Sequence, residues 1–323
     1  MKRALLGVLF GIVVATSVAS AQQFTPTKPV EIVVHTGAGG GNDAFIRAVL
    51  VALKKDNLAS PNFNVSNRTG GGSTTAMSYL REKAGDDHII AIYSSVWVTD
   101  GLVQEAAPVT IDKLTPIAGL VLEPALVVVR ADSPYKTLKD FIDAAKASPG
   151  KLKQSGGSVL SRDAVVRHVL MNHTKAEWSF ISFPSGGERI AAVLGGHVDI
   201  MMIEPSEAGE LIRSGKLRPI AQIADQKIEG FPDVPTIKEA GFAIPNVPQS
   251  RGVVGPPGMS PAAVAYYADF FKRAAASPAY KEYLKSTQLE NAYLGPAELG
   301  KFLVTYQDQL REILKGAGIK VVR

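Results

Sequence analysis

The stretch that decides the fold lies near the start of the chain, where residues 29–43 have the sequence PVEIVVHTGAGGGND. The first part, PVEIVVH, is a short β-branched run of the kind found in buried strands. The glycine-rich part, TGAGGGND, then leads into a segment in which Phe45, Val49, Ala52 and Leu53 recur at helical spacing. The stretch therefore predicts a strand, a glycine loop and a helix in succession.

This order of strand, loop and helix recurs along the chain. Further loops rich in Gly or Ser precede predicted helices at residues 69–73, 155–161 and 185–188. The runs ALVVV (125–129) and VDIMMI (198–203) are apolar apart from Asp199, as expected for strands that are buried on both faces. The alternation predicts an α/β protein with mostly parallel sheets.

The amino-acid composition excludes several classes of protein and of functional site. The 323 residues are 46% hydrophobic and 20% charged, which suits a globular protein of about two domains. The absence of Cys excludes disulfides, Cys-ligated metal sites and thiol nucleophiles. His168 and His173 are five residues apart and do not share a helical face, so neither a metal nor a cofactor is expected. The basic residues are scattered, and nucleic-acid binding is not predicted.

The N-terminus indicates export. Met1–Arg3 is a short basic segment, Ala4–Ser20 carries no charge, and Ala19–Ala21 has the small-x-small pattern of a signal peptidase site. We expect cleavage after Ala21 and a periplasmic mature protein. No later stretch reaches the ~18 uninterrupted apolar residues of a membrane-spanning helix.

The four loops predict an anion site. In parallel sheets such loops lie at the carboxyl ends of the strands, where ligands bind. A helix N-terminus presents unpaired N–H groups and a partial positive charge, and glycine lets a ligand approach the backbone closely. Each loop by itself could equally be a simple turn that caps a helix, whereas four loops that face one crevice would bind a carboxylate without a metal.

A few charged residues are candidates for ligand contact. Arg162 falls in the first turn of a predicted helix, where the helix dipole disfavours a cation, so its position suggests a use. Asp43 is predicted to cap the first helix, to fix the glycine loop, or both. Arg189 is expected to pair with Glu188 or to face solvent. His35 and Glu204 end predicted strands, and each could contact the ligand or serve the fold.

Several longer segments carry a family likeness. These are GAGGGND (37–43), NRTGGGS (67–73), RADSPYKTLKDFI (130–142), GGERIAAVLGGHVDIMM (186–202), SGKLRPIA (214–221) and PDVPTIKEAG (232–241). With them the chain resembles the substrate-binding proteins of tripartite tricarboxylate transporters, often called Bug proteins, over nearly all of the mature sequence.

The resemblance implies a two-lobed, class II periplasmic binding protein fold with a ligand cleft between the lobes. The expected divisions are a signal peptide at 1–21, a discontinuous first lobe at 22–124 plus 225–323, and a second lobe at 125–224. It also implies a monomeric receptor, not an enzyme, that captures a small carboxylate and delivers it to large and small integral membrane subunits of a transporter.

The resemblance and the loops together give a predicted ligand site. Its residues are His35, Thr36, Gly39, Gly40, Gly41, Asp43, Gly72, Ser73, Ser94, Ser155, Gly157, Ser158, Ser161, Arg162, Gly187, Glu204 and Arg251. The chain departs from many relatives in having Val34–Thr36 in place of Pro-Phe-Pro, and Arg251 in place of an aromatic residue. An added Arg and His favour a di- or tricarboxylate.

Two alternatives stay open at this point. The receptor could feed a sensor kinase instead of a transporter, since a docking surface is not visible in the sequence. A secreted small-molecule hydrolase on the same fold would need a nucleophile beside a base, and no His is adjacent to a suitable Ser.

Overall fold

The computed structural model describes residues 24–58, 61–183, 185–224, 226–247 and 249–323. The predicted signal peptide, residues 1–21, lies outside these described residues. The described chain forms two β-sheets, each flanked by helices, which gives the predicted α/β fold with two lobes.

The first lobe is built on a six-stranded sheet with the order β11-β4-β10-β3-β1-β2. Its strands are β1 (Val30–Val34), β2 (Phe63–Asn67), β3 (Ile89–Tyr93), β4 (Thr115–Glu123), β10 (Gln249–Gly255) and β11 (Glu290–Leu294). The helices of this part of the chain are α1 (Gly41–Lys55), α2 (Thr74–Glu82), α3 (Ser95–Val103), α8 (Pro261–Ala276), α9 (Pro278–Thr287) and α10 (Pro296–Gly316).

The second lobe is built on a five-stranded sheet with the order β7-β6-β8-β5-β9. Its strands are β5 (Ala125–Arg130), β6 (Lys153–Gly156), β7 (Ser179–Ser182), β8 (Ile200–Ile203) and β9 (Leu217–Ile223). The intervening helices are α4 (Leu138–Ala147), α5 (Arg162–Thr174), α6 (Gly186–Leu194) and α7 (Pro205–Arg213).

Both sheets are mixed rather than mostly parallel. Strands β1, β2 and β3 pair in parallel, and so do β6, β7 and β8. Strand β5 is the first that the chain forms in the second sheet, and β10 is the first after the chain returns to the first sheet. Each runs antiparallel to both of its neighbours. The expectation of mostly parallel sheets holds for the strand–loop–helix units but not for these two strands, nor for β11, which pairs antiparallel with β4.

The sequence patterns did not predict three of the elements, namely β4, β11 and α3. Helix α3 has the sequence SVWVTDGLV and is buried over Ser95–Leu102, so it lacks the alternation of polar and apolar faces that marks a surface helix. Strand β4 contains Pro116 and Gly119, residues that strands usually avoid, and only Pro124 separates it from β5.

The chain stays with the second sheet beyond the predicted boundary at residue 225. Ile228 packs into the apolar core that lies around β8 and β9. The side-chain amide of Gln222 on β9 donates to the carbonyls of Phe231 and Val234 and accepts from the N–H of Ile228. The exact lobe limits stay a prediction.

Candidate functional site

A cleft of about 630 Å³ lies where loops of the two sheets face each other. The first-lobe residues that line it are His35, Thr36, Gly37, Gly40, Gly41, Asn42, Thr69, Gly72, Ser94, Val96, Gln249 and Arg251. The second-lobe residues are Gly157, Ser158, Ser161, Asp163, Ser182, Phe183, Ser185, Gly186, Arg189, Glu204 and Glu207. Each of the four glycine loops contributes to this wall.

Among the described helices, five direct their N-termini to the cleft. They are α1, α3, α5, α6 and α7, and in each case the cap residue or the first turn lines the cavity. The first N–H groups of a helix have no intrahelical partner, and the helix dipole places partial positive charge there. This convergence makes the cleft a favourable environment for an anion.

The first glycine loop is held in shape by Asp43. One carboxylate oxygen accepts from the N–H of Gly39 at 2.9 Å, and the other accepts from Asn67 at 3.0 Å and from Arg47 at 2.9 Å. Burial opposes ionisation, but these hydrogen bonds and Arg47 lower the pKa of Asp43 below its ordinary value. Asp43 therefore shapes the loop, and it is not among the described residues that line the cleft.

The second glycine loop is anchored from helix α3. Asp100 accepts from the N–H of Ser73 at 2.6 Å and from the Ser73 hydroxyl at 2.7 Å. A side chain at Gly72 would place a Cβ 2.3 Å from the same carboxylate, and Gly72 has a φ of +67°. The loop consequently presents Gly72 to the cleft and turns the hydroxyl of Ser73 toward Asp100.

His35 is a neutral hydrogen-bond donor at the cleft wall. The indole N–H of Trp97 donates to its Nδ1 at 2.9 Å, and because an indole only donates, that nitrogen is the acceptor and the ring proton lies on Nε2. Burial and the nearby charge of Arg251 lower the pKa of His35 to about 3. His35 therefore adds a donor to the cleft but no positive charge near neutral pH.

A buried network of polar side chains crosses between the lobes beneath the cleft. Arg251 is paired with Glu123 at 2.9 Å and donates to the carbonyl of Gly41 at 3.0 Å. The amide of Gln249 donates to Glu123 at 2.5 Å and to Glu204 at 3.0 Å, so it bridges a carboxylate of each lobe. Burial, the first cause, raises the pKa of Glu123, and the proximity of Glu204 raises it further.

Arg162 lies behind the cleft wall. Its guanidinium is 2.9 Å from Glu204 and donates to the carbonyl of Glu123 at 3.0 Å. Its side chain is 1% exposed, and it is not among the described lining residues. The partner of this arginine is therefore a carboxylate of the protein itself, and its predicted contact with the ligand has no support in this geometry.

Arg189, and not Arg162, is the arginine of the second lobe that lines the cleft. It pairs with Asp163 at 2.7 Å and with the carbonyl of Met202, so the expectation of pairing with Glu188 or exposure to solvent is wrong. Its Nε has no hydrogen-bond partner among the described residues, and the same holds for Nε of Arg251 and for Nε of Arg162, which does not line the cleft. The two walls of the cleft thus each carry one arginine with an unused donor.

The structure brings most of the predicted site residues together. Those that line the cleft are His35, Thr36, Gly40, Gly41, Gly72, Ser94, Gly157, Ser158, Ser161, Glu204 and Arg251. Those that do not are Gly39, Asp43, Ser73, Ser155, Arg162 and Gly187. Gly39, Asp43 and Ser73 form the hydrogen bonds that shape the loops, whereas Ser155 is fully buried on β6.

Several lining residues were missed. Besides Gly37 and Gly186, they are Asn42, Thr69, Val96, Asp163, Ser182, Phe183, Ser185, Arg189, Glu207 and Gln249. Many are immediate neighbours of predicted residues in the same loops, and that adjacency was the available signal. Glu207 and Gln249 lie outside the glycine loops, so the loop pattern gave no indication of them.

The arrangement can bind but has no evident means of catalysis. Backbone N–H groups, serine hydroxyls, the His35 donor and two arginines surround a cavity that suits a small anion. Among the described residues, no group of three or more His, Cys, Asp or Glu side chains could hold a metal ion. The fold and cleft define a two-lobed solute-binding receptor.

Comparison with known proteins identifies the family. The model of the tripartite tricarboxylate transporter family receptor matches residues 46–319, and the chain belongs to this family, whose members are solute receptors and not enzymes. A Cupriavidus necator protein described as "UPF0065 protein in gbd 5'region" is 29% identical over 315 residues, which are 96% of this chain and 93% of the relative.

Solved structures show the same fold. The periplasmic binding protein BugD superposes with a TM-score of 0.82 at 21% identity, over 92% of this chain and 99% of BugD. MatC from Rhodopseudomonas palustris, solved with bound malate, superposes with a TM-score of 0.81 at 23% identity, over 90% of this chain and 100% of MatC.

Proposed function

We propose that this protein is an exported receptor that captures a small dicarboxylate and delivers it to the membrane subunits of a tripartite tricarboxylate-type transporter. The observation that carries the proposal is the convergence of five described helix N-termini on one cleft, with His35 as an additional neutral donor. Such donors bind carboxylates without a metal ion. The malate bound by MatC is a ligand of this chemical class.

Two charges on the ligand are favoured over one because Arg189 and Arg251, whose Nε atoms have no hydrogen-bond partner among the described residues, lie on different walls of the cleft. Arg251 belongs to β10 of the first lobe, and Arg189 belongs to α6 of the second. A planar guanidinium donates best to a carboxylate, and a carboxylate at each end of the ligand would satisfy both. Arg189 and Arg251, in place of Arg162 and Arg251, are therefore the residues that we propose to select for charge.

Export and the lobe divisions belong to the same proposal. The N-terminal pattern supports cleavage after Ala21, and mass spectrometry of the periplasmic protein should then find Gln22 as its first residue. Within the part of the chain that the structure describes, no helix has the length and hydropathy of a membrane span. We propose a first lobe of 22–124 plus 225–323 and a second lobe of 125–224, with 226–237 packed on the second.

The test compares ligands of matched shape. Protein that has been unfolded, stripped of ligand and refolded is screened by thermal shift against malate, adipate and citrate, and then by calorimetry against succinate and its monoamide, succinamate. Saturation at ~100 times the dissociation constant should add ~2.7 kcal/mol of stability. Succinate should bind more tightly than succinamate by about 1.5–3 kcal/mol, the worth of a hydrogen bond to a charged group.

Two results would contradict the proposal. If none of these carboxylates stabilises the protein, the cleft is not a carboxylate site. If succinate and succinamate bind equally, the second charge is not recognised and the selection for dicarboxylates is wrong. Transport is tested separately, by uptake into vesicles that contain the large and small membrane subunits, with and without the receptor.

A further inference from the structure

Glu207 lies in the cleft wall, and its carboxylate has no hydrogen-bond or ion-pair partner among the residues that the structure describes. It lies in the first turn of α7, it is partly buried, and it lines the cavity. Its backbone N–H donates to the carbonyl of Glu204 at 3.0 Å, but among the described residues its carboxylate makes no hydrogen bond and no ion pair. Its carboxylate packs against Gly186, the first residue of α6, where an added Cβ would lie 2.2 Å from Oε2.

The surroundings of Glu207 compensate its charge only in part, because burial and Glu204 raise its pKa by more than Arg189 and Arg251 lower it. Arg189 and Arg251 are the two arginines whose charges lower the pKa of Glu207, and both are already paired with other carboxylates. The charged groups that affect its pKa are Glu204, the cap residue of α7, Arg189 on α6, Arg251 on β10 and Glu123 on β4, and Asp163 on α5 lines the same cleft. Helix α9, which packs against α7, carries Tyr283. Burial raises the pKa of Tyr283 to about 12, so it stays neutral near pH 7.

We propose that Glu207 determines ligand specificity by holding a proton in the complex, so that capture of a dicarboxylate takes up one proton from solvent. This inference rests on the proposed function, because it needs an anionic group in the same cleft. The proton binds to a carboxylate oxygen of Glu207, and the resulting O–H group donates a hydrogen bond to the carboxylate of the ligand that lies nearest to α6. Because Glu207 is then neutral, the second carboxylate of the ligand can bind near Glu204 and Asp163 with less repulsion.

The expected pH dependence of ligand affinity follows from the pKa of Glu207. Burial, and then repulsion from Glu204, raise the pKa of Glu207 to about 7. If binding requires the protonated form, the apparent affinity scales with the protonated fraction of the free receptor. It should fall about tenfold between about pH 6 and about pH 8, and about half a proton should be taken up per ligand at about pH 7.

The experiment is calorimetric titration of malate and adipate in buffers of different ionisation enthalpy, over a pH range in which neither ligand titrates. Wild-type protein should show the uptake and the loss of affinity. Glu207→Gln, which is neutral at every pH, should take up no proton and should bind equally well across the range. Glu210→Gln is the matched control, since Glu210 is an exposed residue of the same helix that pairs with Arg213.

Three results would overturn the inference. Wild-type binding without proton transfer would show that the anion lies away from Glu207. Unchanged uptake in Glu207→Gln would assign the proton to another group, such as Glu123. Release of a proton would show that a group of the receptor ionises when the dicarboxylate binds, which is the reverse of the proposal. If neither malate nor adipate binds and the other carboxylates of the screen also fail, the proposed function itself is refuted, and this inference with it.

Discussion

Replacement of Arg162 by Met tests whether the arginine serves the fold or the ligand. The Arg162–Glu204 pair has a separation of 2.9 Å, and the two side chains are 1% and 7% exposed. Removal of one partner from such a buried pair leaves an uncompensated charge and typically costs about 3–5 kcal/mol. We therefore expect Arg162→Met to lower the free energy of unfolding by about that amount.

The matched control is Arg213→Met, which removes an arginine of the same chemistry from an exposed pair. Arg213 lies 2.6 Å from Glu210, with side chains 65% and 87% exposed, and such surface pairs contribute at most about 1 kcal/mol. A double variant, Arg162→Met with Glu204→Gln, should recover much of the loss, because the stranded carboxylate is then also gone while Gln249 keeps an acceptor.

The assay is urea unfolding followed by circular dichroism, together with calorimetry of succinate and succinamate on the folded variants. If Arg162→Met is no less stable than Arg213→Met, the pair is not desolvated and the reasoning is refuted. If stability is unchanged while the preference for succinate disappears, Arg162 contacts the ligand, as the sequence first suggested.

Three further predictions follow from the loops and from His35. Gly41→Ala should weaken carboxylate binding about tenfold, or ~1.4 kcal/mol, because its Cβ would lie 2.8 Å from Nη2 of Arg251, whereas Gly187→Ala has nothing within 4 Å and should bind normally in calorimetry. Asp43→Ala should lower the free energy of unfolding by about 1–3 kcal/mol, measured in urea, because the Gly39 N–H loses its acceptor. The pKa of His35 falls from 6.5 to about 3 on folding, so between these values the unfolded state binds more protons and stability should decrease as the pH is lowered. His35→Gln should reduce that dependence in urea unfolding, and an equal dependence in both proteins would contradict it.

The sequence predicted well those features that depend on neighbouring residues. The glycine loop at 37–43 and the helix that follows it are local in the chain, and the structure has this helix at Gly41–Lys55. Helix α3 was missed because its burial is set by the rest of the fold, and burial on all sides removes the amphipathic pattern. The direction of β5 and β10 depends on how the chain crosses between lobes.

The site was predicted less completely, since its side-chain partners are far apart in sequence. Arg162 and Glu204 are separated by 42 positions, and Arg251 and Glu123 by 128. A loop pattern shows where backbone donors converge, but it does not show which carboxylate each arginine meets. The Arg and His that were predicted to favour a multiply charged ligand add little net charge, because Arg251 is paired with Glu123 and His35 is neutral, and Arg189 is paired with Asp163.

This compensation changes what the charged residues can be expected to do. A cation in the first turn of a helix is disfavoured by the dipole, and the sequence argument took that penalty as a sign of a ligand. In the structure Glu204 supplies the opposite charge, and Glu204 is also the cap residue of α7. The penalty at Arg162 is thus offset within the protein, and attraction of an anion is left to the helix N-termini and to the unused donors of Arg189 and Arg251. Recognition of charge in this cleft depends on hydrogen-bond donors more than on net charge, which is why the ionisation of Glu207, the unpaired carboxylate, should influence binding so directly.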